Sequence, residues 1–94
     1  MARHALLANL GLVTEVVAPD ELLARAIAVL TELTKLAPIA LSSVMNVIQH
    51  GYDLSLDDAL ELEAVNFGLC CATHDKEEGV NAFIGKRTAI FNGE

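Results

Sequence analysis

The side chains best suited to metal binding or nucleophilic catalysis in this sequence are three histidines and two cysteines. Histidine and cysteine bind transition metals when several of them recur at short, regular spacings. His4, His50 and His74 show no such spacing among themselves or with the adjacent pair Cys70 and Cys71. The six glycines are scattered along the chain and form no glycine-rich phosphate-binding loop. These residues therefore predict neither a metal centre nor a phosphate loop.

Cys70 and Cys71 are neighbours in the chain, so within one copy they could form only a strained disulfide bond. The N-terminus lacks the layout of a secretory signal peptide, because Asn9 and Gly11 interrupt its apolar run early. We therefore expect a cytoplasmic, reducing location in which both cysteines are small apolar residues of a helix. A thiol switch at this pair is the alternative hypothesis.

Four carboxylates lie close together in one segment, at Asp57, Asp58, Glu61 and Glu63. Paired carboxylates can perform general acid–base catalysis, but at this spacing they can equally form the solvated face of a helix. Over the whole chain, thirteen acidic residues against six lysines and arginines give a net charge of −7. This acidity argues against a nucleic-acid partner and against adsorption to anionic lipid, because both require a basic surface.

Hydrophobic residues make up 53% of the 94 residues, which is a high share for so short a chain. The length allows one small domain over residues 1–94, and a small domain has proportionally little interior. Charged residues interrupt every apolar stretch well before the roughly 20 residues that a membrane span needs, so we predict no membrane partner. The surplus apolar side chains must lie exposed or meet a protein partner, and a homo-oligomer is expected.

Hydrophobic periodicity predicts a mainly α-helical fold of about four helices, preceded by a short N-terminal helix and one short strand. The short helix covers residues 2–10, with Gly11 as its C-terminal cap, and the strand covers residues 12–17. A single strand would need a partner outside these elements or in a second copy. The longer helices are expected to begin at Asp20, Pro38, Ser55 and Asp75.

The last predicted helix begins with the capping-box-like sequence Asp75–Glu78, which places His74 in the preceding connector. It is expected to end near Lys86, and Phe91 is expected to fix the short tail that follows. Its inward-facing side chains are predicted to be Val80, Phe83 and Ile84.

Three segments near the C-terminus, Thr73–Gly79, Ala82–Arg87 and Phe91–Gly93, resemble the tail of the enoyl-CoA hydratase/isomerase (crotonase) superfamily. That tail has a T-x-D-x-x-E-G turn, then A-F-x-x-K-R, then a final phenylalanine. Within the superfamily, the sequence most resembles an enoyl-CoA hydratase. Further segments that resemble the family in the same order are Gly11–Val17, Ala37–Leu41 and Leu54–Glu63.

The resemblance implies that this chain is a C-terminal helical domain of a crotonase-like protein. Family members are much longer, and their preceding core supplies the oxyanion hole and the acid–base glutamates, which have no counterpart among these residues. The chain is therefore expected to be non-catalytic by itself, and its status as an enzyme is left open. The related full-length enzymes hydrate 2-trans-enoyl-CoA in fatty-acid β-oxidation, with the coenzyme A thioester as substrate and no separate cofactor.

In the family, this domain covers the acyl-CoA site and contributes to trimer packing. The resemblance implies that Phe67, Phe83 and Lys86 line the coenzyme A site, and that the partners are a crotonase core, acyl-CoA and further copies. Core packing is the alternative role for the two phenylalanines, and complementing a helix C-terminus is the alternative for Lys86. A self-associating helical interaction module without a coenzyme A role is the competing hypothesis for the whole chain.

Overall fold

The computed structural model describes residues 2–94, and the predicted mainly α-helical fold is confirmed. The described residues form two compact units, one ending at Glu32 and the other covering Leu33–Glu94. No single helix among them is long and apolar enough to cross a membrane, and only α2 and α3, counted together across their break, reach that length and composition. The five helices are α1 (Ala2–Asn9), α2 (Leu22–Leu33), α3 (Pro38–Gly51), α4 (Leu56–Cys71) and α5 (His74–Ile84).

The strand predicted at residues 12–17 is wrong, because that segment forms bends and irregular backbone. The predicted cap before it is present, since Gly11 adopts a left-handed φ of 75° and the N–H of Leu12 donates to the carbonyl of Leu7. The carboxylate of Glu15 then binds the guanidinium of Arg25 in α2. The β-branched residues here have no neighbouring strand among residues 2–94, so they form no strand ladder.

Helices α3 and α4 form the main helix pair of the second unit. Pro38 occupies the first turn of α3 after the extended residue Ala37, as the sequence predicts, because proline has no N–H to leave unpaired there. Ser55 caps α4, and its hydroxyl oxygen accepts a hydrogen bond of 3.2 Å from the N–H of Asp58. Helix α3 ends at Gly51.

The start of α5 differs from the prediction, because Thr73 rather than Asp75 is its N-terminal cap. The Thr73 hydroxyl accepts a hydrogen bond of 3.2 Å from the N–H of Lys76 and donates one of 2.7 Å to the carbonyl of Cys70. His74 is consequently the first residue of the helix and not a connector residue. This double role of Thr73 joins the end of α4 to the beginning of α5.

We expect Thr73→Ala to destabilise the chain by about 1–2 kcal/mol, because it removes both the cap of α5 and the bond to Cys70. Thr73→Ser keeps the hydroxyl and should change the free energy of unfolding by less than about 0.5 kcal/mol. Urea titration followed by circular dichroism measures both values. Equal stabilities of the alanine and serine variants would contradict this role of the hydroxyl.

Very few side chains are buried in this chain. Among residues 3–94 only Ala82 and Asp75 are buried, with 2% and 3% of their surface exposed. The prediction that Val80, Phe83 and Ile84 point inward is wrong, because all three are exposed. These three apolar side chains of α5 therefore face away from the remainder of this unit, in agreement with the surplus of apolar residues in the sequence.

Candidate functional site

Helix α5 ends in a tight reversal that places Lys86 at its tip. The N–H of Gly85 donates to the carbonyl of Asn81 at 2.9 Å, and the N–H of Arg87 donates to the carbonyl of Ala82 at 3.0 Å. Between them, Lys86 has a left-handed φ of 51°, the only positive φ among the described non-glycine residues. The side chain of Lys86 is exposed, so its ammonium group is available to a ligand.

The residues after this reversal, Arg87–Glu94, form a C-terminal segment that is bound to α5 by two carboxylates of that helix. The first is Glu78, which accepts bonds of 2.6 and 2.9 Å from the two terminal guanidinium nitrogens of Arg87. One of its oxygens also accepts a bond of 3.0 Å from the N–H of Ile90. A paired guanidinium and carboxylate of this kind fixes both distance and orientation.

The second carboxylate is Asp75, which the sequence presents as a cap. Its two oxygens each accept a bond of 2.8 Å, one from the N–H of Asn92 and the other from the N–H of Gly93. The N–H of Asp75 in turn donates to the backbone oxygen of Glu94 at 2.9 Å. The buried aspartate therefore fixes the chain terminus rather than the start of its own helix.

Phe91 lies between these two attachment points, as the predicted fixed residue of the tail. Its ring lies against α5 at Gly79, where an added Cβ atom would be 3.4 Å from the ring. Asp75, Glu78 and Gly79 thus provide one face of α5 on which the C-terminal segment lies.

The hydrogen bonds from Arg87 and Ile90 lower the pKa of Glu78 from 4.5 to about 2. Because the carboxylate is bound only in the folded state, its stabilising effect is present above pH 4.5 and is lost as the pH falls towards 2. We expect the carboxyl carbon resonance of Glu78 to titrate near pH 2, and at a higher pH in the Arg87→Gln variant, in which only the bond from Ile90 still lowers the pKa. Titration near 4.5 in the unaltered chain would contradict the ion pair.

The structure places the three predicted coenzyme A residues in two locations. Phe67 lines a mostly apolar groove of about 330 Å³ between α3 and α4. Phe83 and Lys86 lie at the end of α5 and are not among the residues that line this groove. Both phenylalanines are exposed, Phe67 to 71% and Phe83 to 85%, so neither packs into a core within this chain. The groove is lined by Ala40, Ser43, Val44, Val47, Ile48, Glu63, Asn66, Phe67 and Cys70.

The other candidate residues are distributed over both units, and His4 is exposed on α1 in the first unit. Asp57 and Asp58 occupy the first turn of α4, where the positive end of the helix dipole stabilises carboxylates. His50 lies in the last turn of α3, with its Nδ1 atom 3.0 Å from the carbonyl oxygen of Asn46. Among the described residues no group of three or more histidine, cysteine or acidic side chains is placed to hold a metal ion. Both cysteines are free thiols, with Cys70 at the groove and Cys71 exposed.

Comparison with protein families shows to which family this chain belongs. The model of the family "Enoyl-CoA hydratase/isomerase" matches residues 3–94. The chain belongs to the enoyl-CoA hydratase/isomerase family. The chain is also similar to individual members of this family, and it matches the C-terminal part of each.

Two of these relatives are bacterial hydratases. The chain is 37% identical over 83 residues to a crotonyl-CoA hydratase of Syntrophomonas wolfei, covering 88% of this chain and 32% of the relative. It is 36% identical over 79 residues to a short-chain-enoyl-CoA hydratase of Clostridium acetobutylicum. This match covers 84% of this chain and 30% of the relative. The chain thus spans about a third of the length of the enoyl-CoA hydratases that it matches.

Solved structures of the enoyl-CoA hydratase/isomerase family show the same fold. An enoyl-CoA hydratase/isomerase from Mycobacterium paratuberculosis aligns with a TM-score of 0.89 at 30% identity, over 94% of this chain and 35% of that one. An enoyl-CoA hydratase from Bacillus anthracis aligns with a TM-score of 0.87 at 31% identity. This alignment covers 94% of this chain and 34% of that one. The arrangement of helices described above is therefore that of a family member.

Proposed function

We propose that this chain is the C-terminal part of an enoyl-CoA hydratase-like protein, where it covers the acyl-CoA site and contributes to oligomer packing. The observation that carries this proposal is the family match, which includes residues 3–94 yet corresponds to only about a third of the related hydratases. The reaction of the complete protein would add water across the double bond of a 2-trans-enoyl-CoA, with the hydroxyl group on C3 and a proton on C2. The remaining two thirds would supply the carboxylates and the oxyanion hole.

The exposed residues of the second unit suit this role. Lys86 offers a positive charge to a phosphate group of coenzyme A, and its neighbour Phe83 offers an apolar ring one helical turn earlier. Phe67 offers a second ring at the groove between α3 and α4. We propose that these three side chains contact the acyl-CoA, and that a crotonase core covers the remaining apolar faces. A cytoplasmic location accords with the two free thiols.

Binding of coenzyme A by the 94-residue chain tests the role of Lys86 directly. We expect Lys86→Gln to weaken binding about fivefold, which corresponds to about 1 kcal/mol for an exposed ion pair. Lys76→Gln is the matched control, because Lys76 is an exposed lysine in the first turns of the same helix. Isothermal titration with coenzyme A measures each affinity. Equal losses in the two variants would indicate a general effect of charge and would contradict a specific contact.

A self-associating helical module is the second candidate function, and one observation favours it. Large apolar side chains are exposed on every helix of the chain. Exposed apolar surfaces of this kind mark protein–protein interaction sites, and a second copy of the chain can meet them. This function requires no contact with coenzyme A, so the titration above separates the two candidates.

A further inference from the structure

We infer that Glu78 is a positioning residue, which holds Lys86 in its left-handed conformation so that the ammonium group faces a phosphate of the acyl-CoA. The contact with phosphate rests on the proposed function, whereas the restraint of Lys86 by Glu78 depends only on residues of this chain. Glu78 does not itself meet the ligand in this scheme. It acts through Arg87, the residue immediately after Lys86.

The conformation of Lys86 needs such support. A left-handed φ of 51° is unfavourable for any residue with a Cβ atom, and it persists only where neighbouring contacts enforce it. On the helix side, the N–H of Lys86 donates to the carbonyl of Phe83 at 3.2 Å, and the N–H of Arg87 donates to that of Ala82. These two bonds form the C-terminal cap of α5, in which the residue at the position of Lys86 is left-handed, but they involve no residue beyond Arg87.

Glu78 supplies the restraint on the other side of the reversal. Its carboxylate accepts two bonds from the Arg87 guanidinium and one from the N–H of Ile90, so residues on both sides of Thr88 are held against α5. Glu78 itself is partly buried, with 27% of its side chain exposed, whereas Lys86 is exposed. Lys86 is thereby fixed between the last turn of the helix and a residue bound to Glu78.

The effect of removing Glu78 distinguishes positioning from simple electrostatics. Glu78→Gln removes a negative charge, which by Coulomb attraction alone should strengthen the binding of an anionic ligand. Positioning predicts the opposite result. If Lys86 keeps its bound conformation only about one third of the time in the variant, the affinity for coenzyme A falls about threefold.

The experiment compares four forms of the 94-residue chain, the unaltered one and the variants Glu78→Gln, Glu77→Gln and Lys86→Gln, in two measurements. Glu77→Gln is the matched control, because it removes the same charge from an exposed side chain of the same helix. Nuclear magnetic resonance first records the amide exchange of Arg87 and Ile90 and the backbone shifts of Lys86. Titration with coenzyme A then gives the affinity of each form.

We expect Glu78→Gln, but not Glu77→Gln, to accelerate exchange at Arg87 and Ile90, to shift the Lys86 resonances and to weaken coenzyme A binding about threefold. Unchanged exchange and shifts in Glu78→Gln, or binding as tight as in the unaltered chain, would overturn the inference. Loss of the Lys86 conformation in Glu78→Gln, together with no effect of Lys86→Gln on binding, would overturn the proposed function and uphold the restraint by Glu78.

Discussion

The Asp75→Asn substitution is expected to release residues 92–94 from α5. The aspartate accepts a hydrogen bond with each oxygen, whereas asparagine would place an NH₂ group against one of the two backbone donors. Losing one charge-assisted bond and leaving a donor unpaired in a buried site costs about 2–3 kcal/mol. Amide exchange at Asn92 and Gly93 should accelerate about 30- to 150-fold, because every 1.4 kcal/mol is a factor of ten.

Asp57→Asn is the control for this prediction. Asp57 carries the same side chain in the first turn of α4, is exposed, and should lose only about 0.3–1 kcal/mol from its interaction with the helix dipole. Unchanged exchange at Asn92 and Gly93 in Asp75→Asn would show that the C-terminal segment does not depend on this carboxylate. Asp75→Glu should also loosen the segment, because the longer side chain displaces both oxygens.

The second large effect concerns the exposed apolar surface. We expect the 94-residue chain to associate at micromolar concentration, because large apolar side chains are exposed on each of its five described helices. Ile48, at the groove and 69% exposed, is a suitable probe of this surface. Burying an isoleucine contributes about 1.5–3 kcal/mol, so Ile48→Glu should raise the dissociation constant of the oligomer at least about tenfold.

Gln49→Glu is the matched control, since it adds the same charge at the adjacent, exposed position of α3. Sedimentation velocity over a range of concentrations measures the association of all three forms. A monomer at micromolar concentration in the unaltered chain would contradict the prediction. Equal weakening by the two substitutions would attribute the effect to net charge rather than to the apolar surface.

The helices could be predicted from sequence because their signals are local. Pro38 and Ser55 mark the starts of α3 and α4 by chemistry that involves only the next few residues. The strand at residues 12–17 could not be judged in this way, since β-branched residues form a strand only where a partner strand lies beside them. Its prediction failed for want of that partner among the described residues.

The role of Asp75 in binding the C-terminal segment could not be predicted from the sequence for a related reason. Its spacing before Glu78 fits a capping box, but Thr73 already provides the cap, and the partners of Asp75 lie 17 and 18 residues later. They are backbone N–H groups, which leave no trace in a pattern of side chains. The outward direction of Phe83 likewise depends on what packs against α5, which periodicity within the helix cannot specify.

The central claim is that this chain serves as the C-terminal, substrate-covering part of a hydratase. The most direct test replaces the C-terminal third of the Syntrophomonas wolfei crotonyl-CoA hydratase with this chain and measures hydration of crotonyl-CoA, beside the 94-residue chain alone. We predict hydration by the chimera and none above the uncatalysed rate by the chain alone. Hydration by the chain alone, or a soluble, folded chimera that binds no coenzyme A and hydrates no substrate, would contradict the claim.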